Sequence, residues 1–97
     1  MRVWQYEVRA GREAEFERVY ADDGPWAHLF ARSDGFLGTE LFRSVAGPRT
    51  FLTVDRFARV EDFTWVLAQH GDSYAELDDM AATLTSSEQE IATVTRP

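Results

Sequence analysis

The segment at residues 51–70, FLTVDRFARVEDFTWVLAQH, constrains the fold more than any other part of the chain. Its first half has the composition of a β-strand, and after a short turn its second half follows the period of a helix. One face of that helix carries residues at positions i, i+3, i+4 and i+7, namely Phe63, Val66, Leu67 and His70. The segment therefore predicts a strand followed at once by a helix that turns a histidine towards the protein interior.

Three further strands and further helical segments are predicted around this unit. The strands fall at residues 3–9, 36–44, 50–57 and 88–95, and the helices at 12–21, from Pro25, and at 60–70. We expect Gly71 to break the last helix, a second piece to start at Asp72 or Ser73, and Ser86-Ser87 to end it. The order β-α-β-β-α-β predicts an α+β, ferredoxin-like fold, with a four-stranded antiparallel sheet and its helices on one face.

Composition limits the class of protein. The 97 residues suit a single domain spanning 1–97, and a hydrophobic content of 44% is ample for a packed core. The net charge of −7 disfavours nucleic acid as a partner, and the absence of cysteine excludes disulfides and thiolate metal sites. No stretch has the pattern of a secretion signal or the roughly 18 apolar residues of a membrane span. We therefore expect a cytoplasmic protein with no membrane partner.

Apolar residues occupy both alternating sets of positions in the second and third strands. One set comprises Leu37, Leu41, Leu52 and Val54, and the other comprises Phe36, Phe42, Phe51 and Phe57. A single layer of helices covers only one face of a sheet, so the other face needs a second cover. We expect a homodimer. The alternative is a monomer in which these phenylalanines pack at strand ends.

Four stretches together resemble the antibiotic biosynthesis monooxygenase family of dimeric α/β-barrel proteins: YEVRAGREAEFERVY, GFLGTELFR, FLTVDRF and DFTWVLAQH. The resemblance extends along essentially the whole chain. It implies two subunits with their sheets packed face to face, and a pocket in each subunit between its own helices and sheet. It also implies oxidation of an aromatic polyketide-like compound or a quinol by O2 without a cofactor.

The haem-degrading branch of that family is a poor match. Its members use an asparagine on the first strand, a tryptophan on the helix after the third strand, and a later histidine. Here the first position holds Trp4, and the last falls near Ala75 or Glu76, so only Trp65 lies near its expected place. We therefore expect no haem and no other cofactor. For Trp65 itself we expect a packing role.

His70 is the candidate general base, because its ordinary pKa lies near working pH. The alternative is a core or helix-end histidine bonded to backbone. Tyr74 and Tyr6 are candidate donors that could orient an aromatic substrate. We expect a cavity lined by these three residues together with Trp4, Phe63 and Leu67, and we place Trp26 in the substrate-binding set. The alternative for the aromatic residues is an ordinary core.

Charged residues on the strands have two interpretations. Arg43, Arg56, Glu40 and Asp55 could form ion pairs across a dimer axis, and Arg56 could instead bind an enolate oxygen of the substrate. The adjacent acids Asp22-Asp23 and Asp78-Asp79 point about 100° apart on a helix and have no histidine at ligand spacing, so we expect no metal site.

These residues favour a cofactor-independent monooxygenase. An electron-rich dihydroxy-aromatic can lose a proton and pass an electron directly to O2, and the protein then supplies a dry cavity, a base and a donor for the developing oxyanion. The alternatives are a dimeric protein that binds a small aromatic ligand without catalysis or is purely structural, and a lyase or cyclase acting on a polycyclic substrate.

Overall fold

The computed structural model describes all residues from 1 to 97. The elements in chain order are β1 (Arg2–Val8), α1 (Glu13–Tyr20), α2 (Pro25–Phe30), β2 (Phe36–Arg43), β3 (Thr50–Phe57), α3 (Val60–Ala82) and β4 (Thr85–Thr93). The strands form one antiparallel sheet in the order β2-β3-β1-β4, with the helices against one face. The predicted α+β, ferredoxin-like fold is confirmed.

The central strands β1 and β3 fix which side chains share the helix-covered face. Trp4 lies opposite Thr53, and Tyr6 lies opposite Phe51. Because alternate residues of a strand point to opposite faces, Asp55 belongs to the same inner set. The register therefore gives the inner face of the sheet an aromatic and polar lining, to which the helices add their apolar faces.

A bulge in β2 changes the expected division of its apolar residues between the two faces. The pairing with β3 shifts between Phe36 and Gly38, where Gly38 has a φ of 134°. One extra residue reverses the alternation beyond the bulge. Leu41 consequently packs against the core, and Phe42 is 48% exposed on the outer face. The predicted grouping of Leu41 with Leu37 is therefore wrong, although both faces do carry apolar residues.

The core lies between the sheet and all three helices and is mainly aromatic. Phe16 of α1 is fully buried, with ring centroids 4.2 Å from Tyr20, 5.0 Å from Phe51 and 5.2 Å from Tyr6. Burial of one such side chain contributes about 1.5–3 kcal/mol. This cluster holds α1 against the sheet.

Helix α3 consists of two helical pieces that meet at a kink at His70, whose φ is −133° and ψ 34°. The break expected at Gly71 therefore falls one residue earlier. Ser86 and Ser87 do not end the helix but belong to β4, where Ser87 pairs with Glu7 of β1. Pairing with a central strand here outweighs the weak strand propensity of serine. Neither this helix nor any other is long and apolar enough to cross a bilayer.

The start of α3 is fixed by a buried carboxylate. Asp62 is 4% exposed, and its side chain accepts a hydrogen bond of 2.8 Å from the backbone N–H of Arg59. This is the acidic half of a capping box. Gly35, in the loop before β2, packs so closely on this carboxylate that an added Cβ would overlap it. The loop and the helix start therefore depend on one another.

We expect Gly35→Ala to lower the free energy of unfolding by about 1–3 kcal/mol, because it displaces the Asp62 carboxylate and weakens the cap of α3. Gly71→Ala is the matched control, since a Cβ at that position meets nothing within 4 Å. That helical site should instead gain up to about 1 kcal/mol. Urea unfolding of the two variants measures both changes, and equal effects would contradict this account of Gly35.

Candidate active site

A cavity of about 140 Å³ lies between the inner face of the sheet and the helices. Its walls are mostly aromatic and come from β1 and all three helices: Trp4, Tyr6, Tyr20, Trp26, Phe30, Phe63 and Tyr74. The rings are packed against one another, for example Trp26 on Tyr74 at 5.1 Å and Phe63 on Tyr74 at 6.0 Å between centroids. The cavity thus offers several π-faces to a planar ligand.

The structure brings most of the predicted site residues together. Trp4, Tyr6, Trp26, Phe63 and Tyr74 all line the cavity. The inner face of β1 and the apolar faces of α2 and α3 converge there, as the sequence pattern predicts. Leu67, His70 and Arg56 are not among the lining residues.

His70 lies outside the cavity because the helix changes direction at this residue. Its Nδ1 is 3.1 Å from Nη1 of Arg32, and its ring meets the edge of Trp65 at 5.7 Å. Leu67 is also displaced, with 37% of its surface exposed, whereas Val66 is fully buried. The buried stripe therefore passes through Val66 and, beyond the kink, continues at Tyr74. The predicted convergence of His70 and Leu67 on the cavity is wrong.

Arg56 points to the other face of the sheet. Its Nε donates to Glu40 at 2.6 Å, and this ion pair is partly exposed. The position follows from alternation along β3, where Arg56 falls between the inward residues Asp55 and Phe57. Arg56 therefore cannot bind a ligand in the cavity. Of its two expected roles, only an ion pair at a subunit interface stays open.

Asp55 lines the cavity although it was expected at a subunit interface. Predicted to lie at a dimer interface, it is instead 8% exposed and lines the cavity. Its Oδ1 accepts a hydrogen bond of 2.8 Å from the hydroxyl of Thr39 on β2. The sequence does contain an indication of this position. Asp55 points to the same face of β3 as Phe51 and Phe57, because these three residues are separated by even numbers of positions.

Burial favours the neutral forms of one carboxyl group and three phenols in the cavity wall. Burial raises the pKa of Asp55, and the Thr39 hydrogen bond and the charge of Arg2 oppose that rise. Burial likewise raises the pKa of the Tyr6, Tyr20 and Tyr74 phenols. The tyrosines are therefore neutral hydrogen-bond donors at physiological pH.

Two further carboxylates line the cavity. Glu88 of β4 and Asp78 of α3 both line it, and neither makes an ion pair. Partial burial, together with the nearby charge of Asp78, raises the pKa of Glu88. The single arginine of the lining, Arg2, is paired with Glu90 at 2.7 Å. The cavity is therefore acidic as well as aromatic.

The indole donor of Trp26 is poorly satisfied. Its side chain is buried, and Nε1–H makes no hydrogen bond of normal geometry, although it lies near enough to the Tyr20 hydroxyl to oppose the rise in the pKa of that phenol. Buried polar groups are normally paired, so an unpaired one in a cavity wall is a candidate contact for a ligand oxygen. No group of three or more histidine, aspartate or glutamate side chains is arranged to hold a metal ion.

The fold and the cavity define a ferredoxin-like protein with an aromatic pocket between sheet and helices. The family model described as antibiotic biosynthesis monooxygenase matches residues 1–70. The chain belongs to the antibiotic biosynthesis monooxygenase family. No curated protein matches the chain in sequence.

Solved structures agree with this assignment. SnoaB, a cofactor-independent oxygenase from Streptomyces nogalater, is 24% identical with a TM-score of 0.73, over 98% of this chain and 92% of that one. A protein from Bordetella bronchiseptica, provisionally named an antibiotic biosynthesis monooxygenase, is 25% identical with a TM-score of 0.70, over 97% and 95%. One from Deinococcus radiodurans, named in the same way, has a TM-score of 0.76 at 15% identity, over 99% and 91%.

We expect Asp55→Asn to become more stable relative to the parent protein as pH rises. A carboxyl group with a raised folded-state pKa stabilises the fold below its unfolded pKa, about 3.9, and this contribution is lost as pH rises through the folded value. Asparagine keeps an acceptor for Thr39 but does not ionise. Urea unfolding from about pH 4 to about pH 7 tests the difference.

Asp79→Asn is the matched control, because Asp79 is exposed on α3 and does not line the cavity. The difference between this variant and the parent protein should change little with pH. A fall in the stability of Asp55→Asn relative to the parent protein as pH rises would contradict the raised pKa.

We also expect His70→Ala to leave the affinity for an aromatic probe such as phenol unchanged, because His70 does not line the cavity. Tyr74→Ala should weaken binding about tenfold, since it removes a wall ring and a donor. Calorimetric titration of both variants measures this. Weaker binding by His70→Ala in a folded protein would restore the histidine to the site.

Proposed function

We propose that this protein oxidises an electron-rich hydroxy-aromatic with O2 and uses no cofactor. The observation that carries the proposal is the aromatic cavity between sheet and helices, lined by neutral phenol donors and a buried carboxylate. Membership of the family and the likeness to SnoaB, itself a cofactor-independent oxygenase, support the same reaction class.

The reaction balances without any further reactant. A quinol loses a hydroxyl proton, passes one electron to O2, and the two radicals join to form a carbon–oxygen bond. The resulting hydroperoxide loses water and leaves a carbonyl group, so that quinol and O2 become hydroxyquinone and water. The protein would stack the ring, exclude bulk water and donate hydrogen bonds to the oxygen on which charge develops.

Tyr6, Tyr74 and Trp26 are the proposed donors. The Tyr6 hydroxyl accepts a hydrogen bond of 3.4 Å from Thr53, so its own proton is available to a ligand. Trp26 Nε1–H makes no hydrogen bond of normal geometry within the protein. Trp4 and Phe63 supply stacking surfaces on neighbouring walls. These assignments keep five of the residues selected from the sequence and omit His70.

The size of the cavity favours a single-ring substrate. A cavity of about 150 Å³ in another protein holds one benzene molecule, and this one measures about 140 Å³. A quinol with one ring therefore fits this cavity better than a polycyclic polyketide.

Oxygen uptake with hydroquinone under metal-free conditions tests the function. We expect consumption of one O2 per hydroxyquinone formed, and no loss of rate in the presence of a chelator. Tyr6→Phe should lower turnover by about 10²-fold to 10³-fold, since it removes one oxyanion donor. Binding of quinols without O2 uptake would contradict the proposal and indicate a non-catalytic ligand-binding protein. The position of His70 outside the cavity is the observation that favours this second function.

We propose a homodimer as the working form, formed through the outer face of the sheet. That face has no helix over it, and it carries the half-exposed Phe42 beside Leu52, with Val54 and Val3 further along. The strongly exposed Leu37 lies at the β2 bulge, near this face. Apolar patches of this kind are typical of contacts between subunits.

Sedimentation at micromolar concentration should give the mass of two chains. Phe42→Lys should shift the mass to that of one chain, because it places a charge in the apolar contact. Val60→Lys is the control, since Val60 is also an exposed apolar residue but lies at the start of α3. A parent protein that sediments as a monomer would contradict the dimer.

A further inference from the structure

The geometry points to Asp55 as the group that accepts the hydroxyl proton of an uncharged phenolic ligand in the cavity. The catalytic role of Asp55 rests on the proposed function. The contact itself, a ligand hydroxyl donating to the Asp55 carboxylate, is a property of binding and is testable without turnover.

The position of Asp55 is set by the sheet. It lies on β3 directly opposite Arg2 of β1 and Thr39 of β2, in the middle of the inner face. The Thr39 hydroxyl occupies Oδ1, and no protein group donates to Oδ2. Oδ2 is not fully enclosed by protein atoms, and Asp55 lines the cavity, so this oxygen is accessible from the cavity. A carboxylate that is more than nine-tenths buried thus has one free oxygen available to a ligand.

Arg2 does not neutralise this carboxylate by direct contact. Its guanidinium donates to Glu90 through Nε and Nη2 and lies 3.5 Å from the centre of the Phe63 ring. Its charge is close enough to lower the pKa of Asp55, against the larger effect of burial. An uncompensated buried carboxylate destabilises a fold, so its presence in a cavity is typical of a functional group.

The acidity of the cavity indicates the charge of the ligand. Asp55, Asp78 and Glu88 all line it, whereas the one cation is already paired. An aromatic carboxylate would meet like charges, whereas a neutral phenol donates its hydrogen to the free oxygen and makes a charge-assisted hydrogen bond. The inferred ligand is therefore an uncharged hydroxy-aromatic.

The catalytic step is a proton transfer. The phenolic O–H bond breaks, its proton moves to Oδ2 of Asp55, and the electron pair stays on the substrate oxygen. The products are a neutral carboxylic acid and a phenolate, which is the form that passes an electron to O2. Burial raises the pKa of Asp55 and so makes it a stronger base than an exposed aspartate.

The other titratable and charged groups around Asp55 come from four elements. They are Arg2 and Tyr6 on β1, Tyr20 on α1, Tyr74 and Asp78 on α3, and Glu88 and Glu90 on β4. The tyrosines are neutral at working pH, and Arg2 and Glu90 form an ion pair. Asp78 and Glu88 are thus the other two acids whose ionisation affects the acidic limb of a pH profile.

The binding test compares phenol with toluene, which have nearly the same shape and differ in the hydroxyl donor. In the parent protein, the affinity ratio of phenol to toluene should exceed that in Asp55→Asn by about tenfold, since the charged acceptor is lost. Asp79→Asn should keep the parent ratio. An unchanged ratio in folded Asp55→Asn would overturn the assignment.

The kinetic test follows O2 uptake with hydroquinone across pH. Asp55→Asn should lower kcat by about 10²-fold or more and remove the acidic limb. Thr39→Val should move that limb to higher pH, because the Thr39 hydrogen bond lowers the pKa of Asp55. Full turnover in Asp55→Asn, or an unmoved limb in Thr39→Val, would overturn the catalytic role.

The two experiments separate this inference from the proposed function. Absence of O2 uptake by the parent protein would overturn the proposed oxidation and, with it, the catalytic meaning of Asp55. The phenol-to-toluene ratio would then still support or overturn Asp55 as the acceptor of the ligand hydroxyl. Uptake by the parent together with an unchanged ratio would leave the function standing and this assignment overturned.

Discussion

The antiparallel register between β1 and β3 is the constraint on which the rest of the structure depends. It sets Trp4 against Thr53, Tyr6 against Phe51 and Arg2 against Asp55, all on the inner face. A slip of one residue would turn each of these side chains to the other face. The packing of Phe16 on Tyr6 and Phe51 and the lining of the cavity therefore follow from one alignment of two strands.

The aromatic core and the cavity are parts of the same layer. Tyr6 packs against buried Phe16 and also lines the cavity. The same holds for Phe30, which is buried and touches Phe36 and Phe63. Because the wall rings are fixed by core packing, a ligand meets a preformed surface, which reduces the ordering required on binding. The polar groups inside the cavity, chiefly Asp55 and the Trp26 N–H, lack full hydrogen bonding within the protein. They lower the stability of the fold, and they are the groups that a ligand can contact.

Sequence patterns predicted the fold and most of the cavity. Strand alternation located Trp4 and Tyr6, and the helical period located Phe63, Val66 and Tyr74, because both depend only on local geometry. The errors arose where tertiary structure intervened. The bulge at Gly38 exchanged the faces of Leu41 and Phe42, and pairing with β1 drew Ser86 and Ser87 into β4. The kink at His70 moved that residue to Arg32 and out of the cavity. No local pattern encodes the bulge or the strand pairing, and the break expected at Gly71 does not by itself fix the position of the His70 side chain.

The central claim is that the cavity binds a hydroxy-aromatic through the inner face of the sheet. A crystal structure with phenol bound, grown under nitrogen, tests it most directly. The ring should lie among Trp4, Trp26 and Tyr74, with its hydroxyl oxygen about 2.5–3.0 Å from Oδ2 of Asp55. Phenol bound instead beside Trp65 and His70, or on the outer face of the sheet, with the inner cavity empty, would contradict the account.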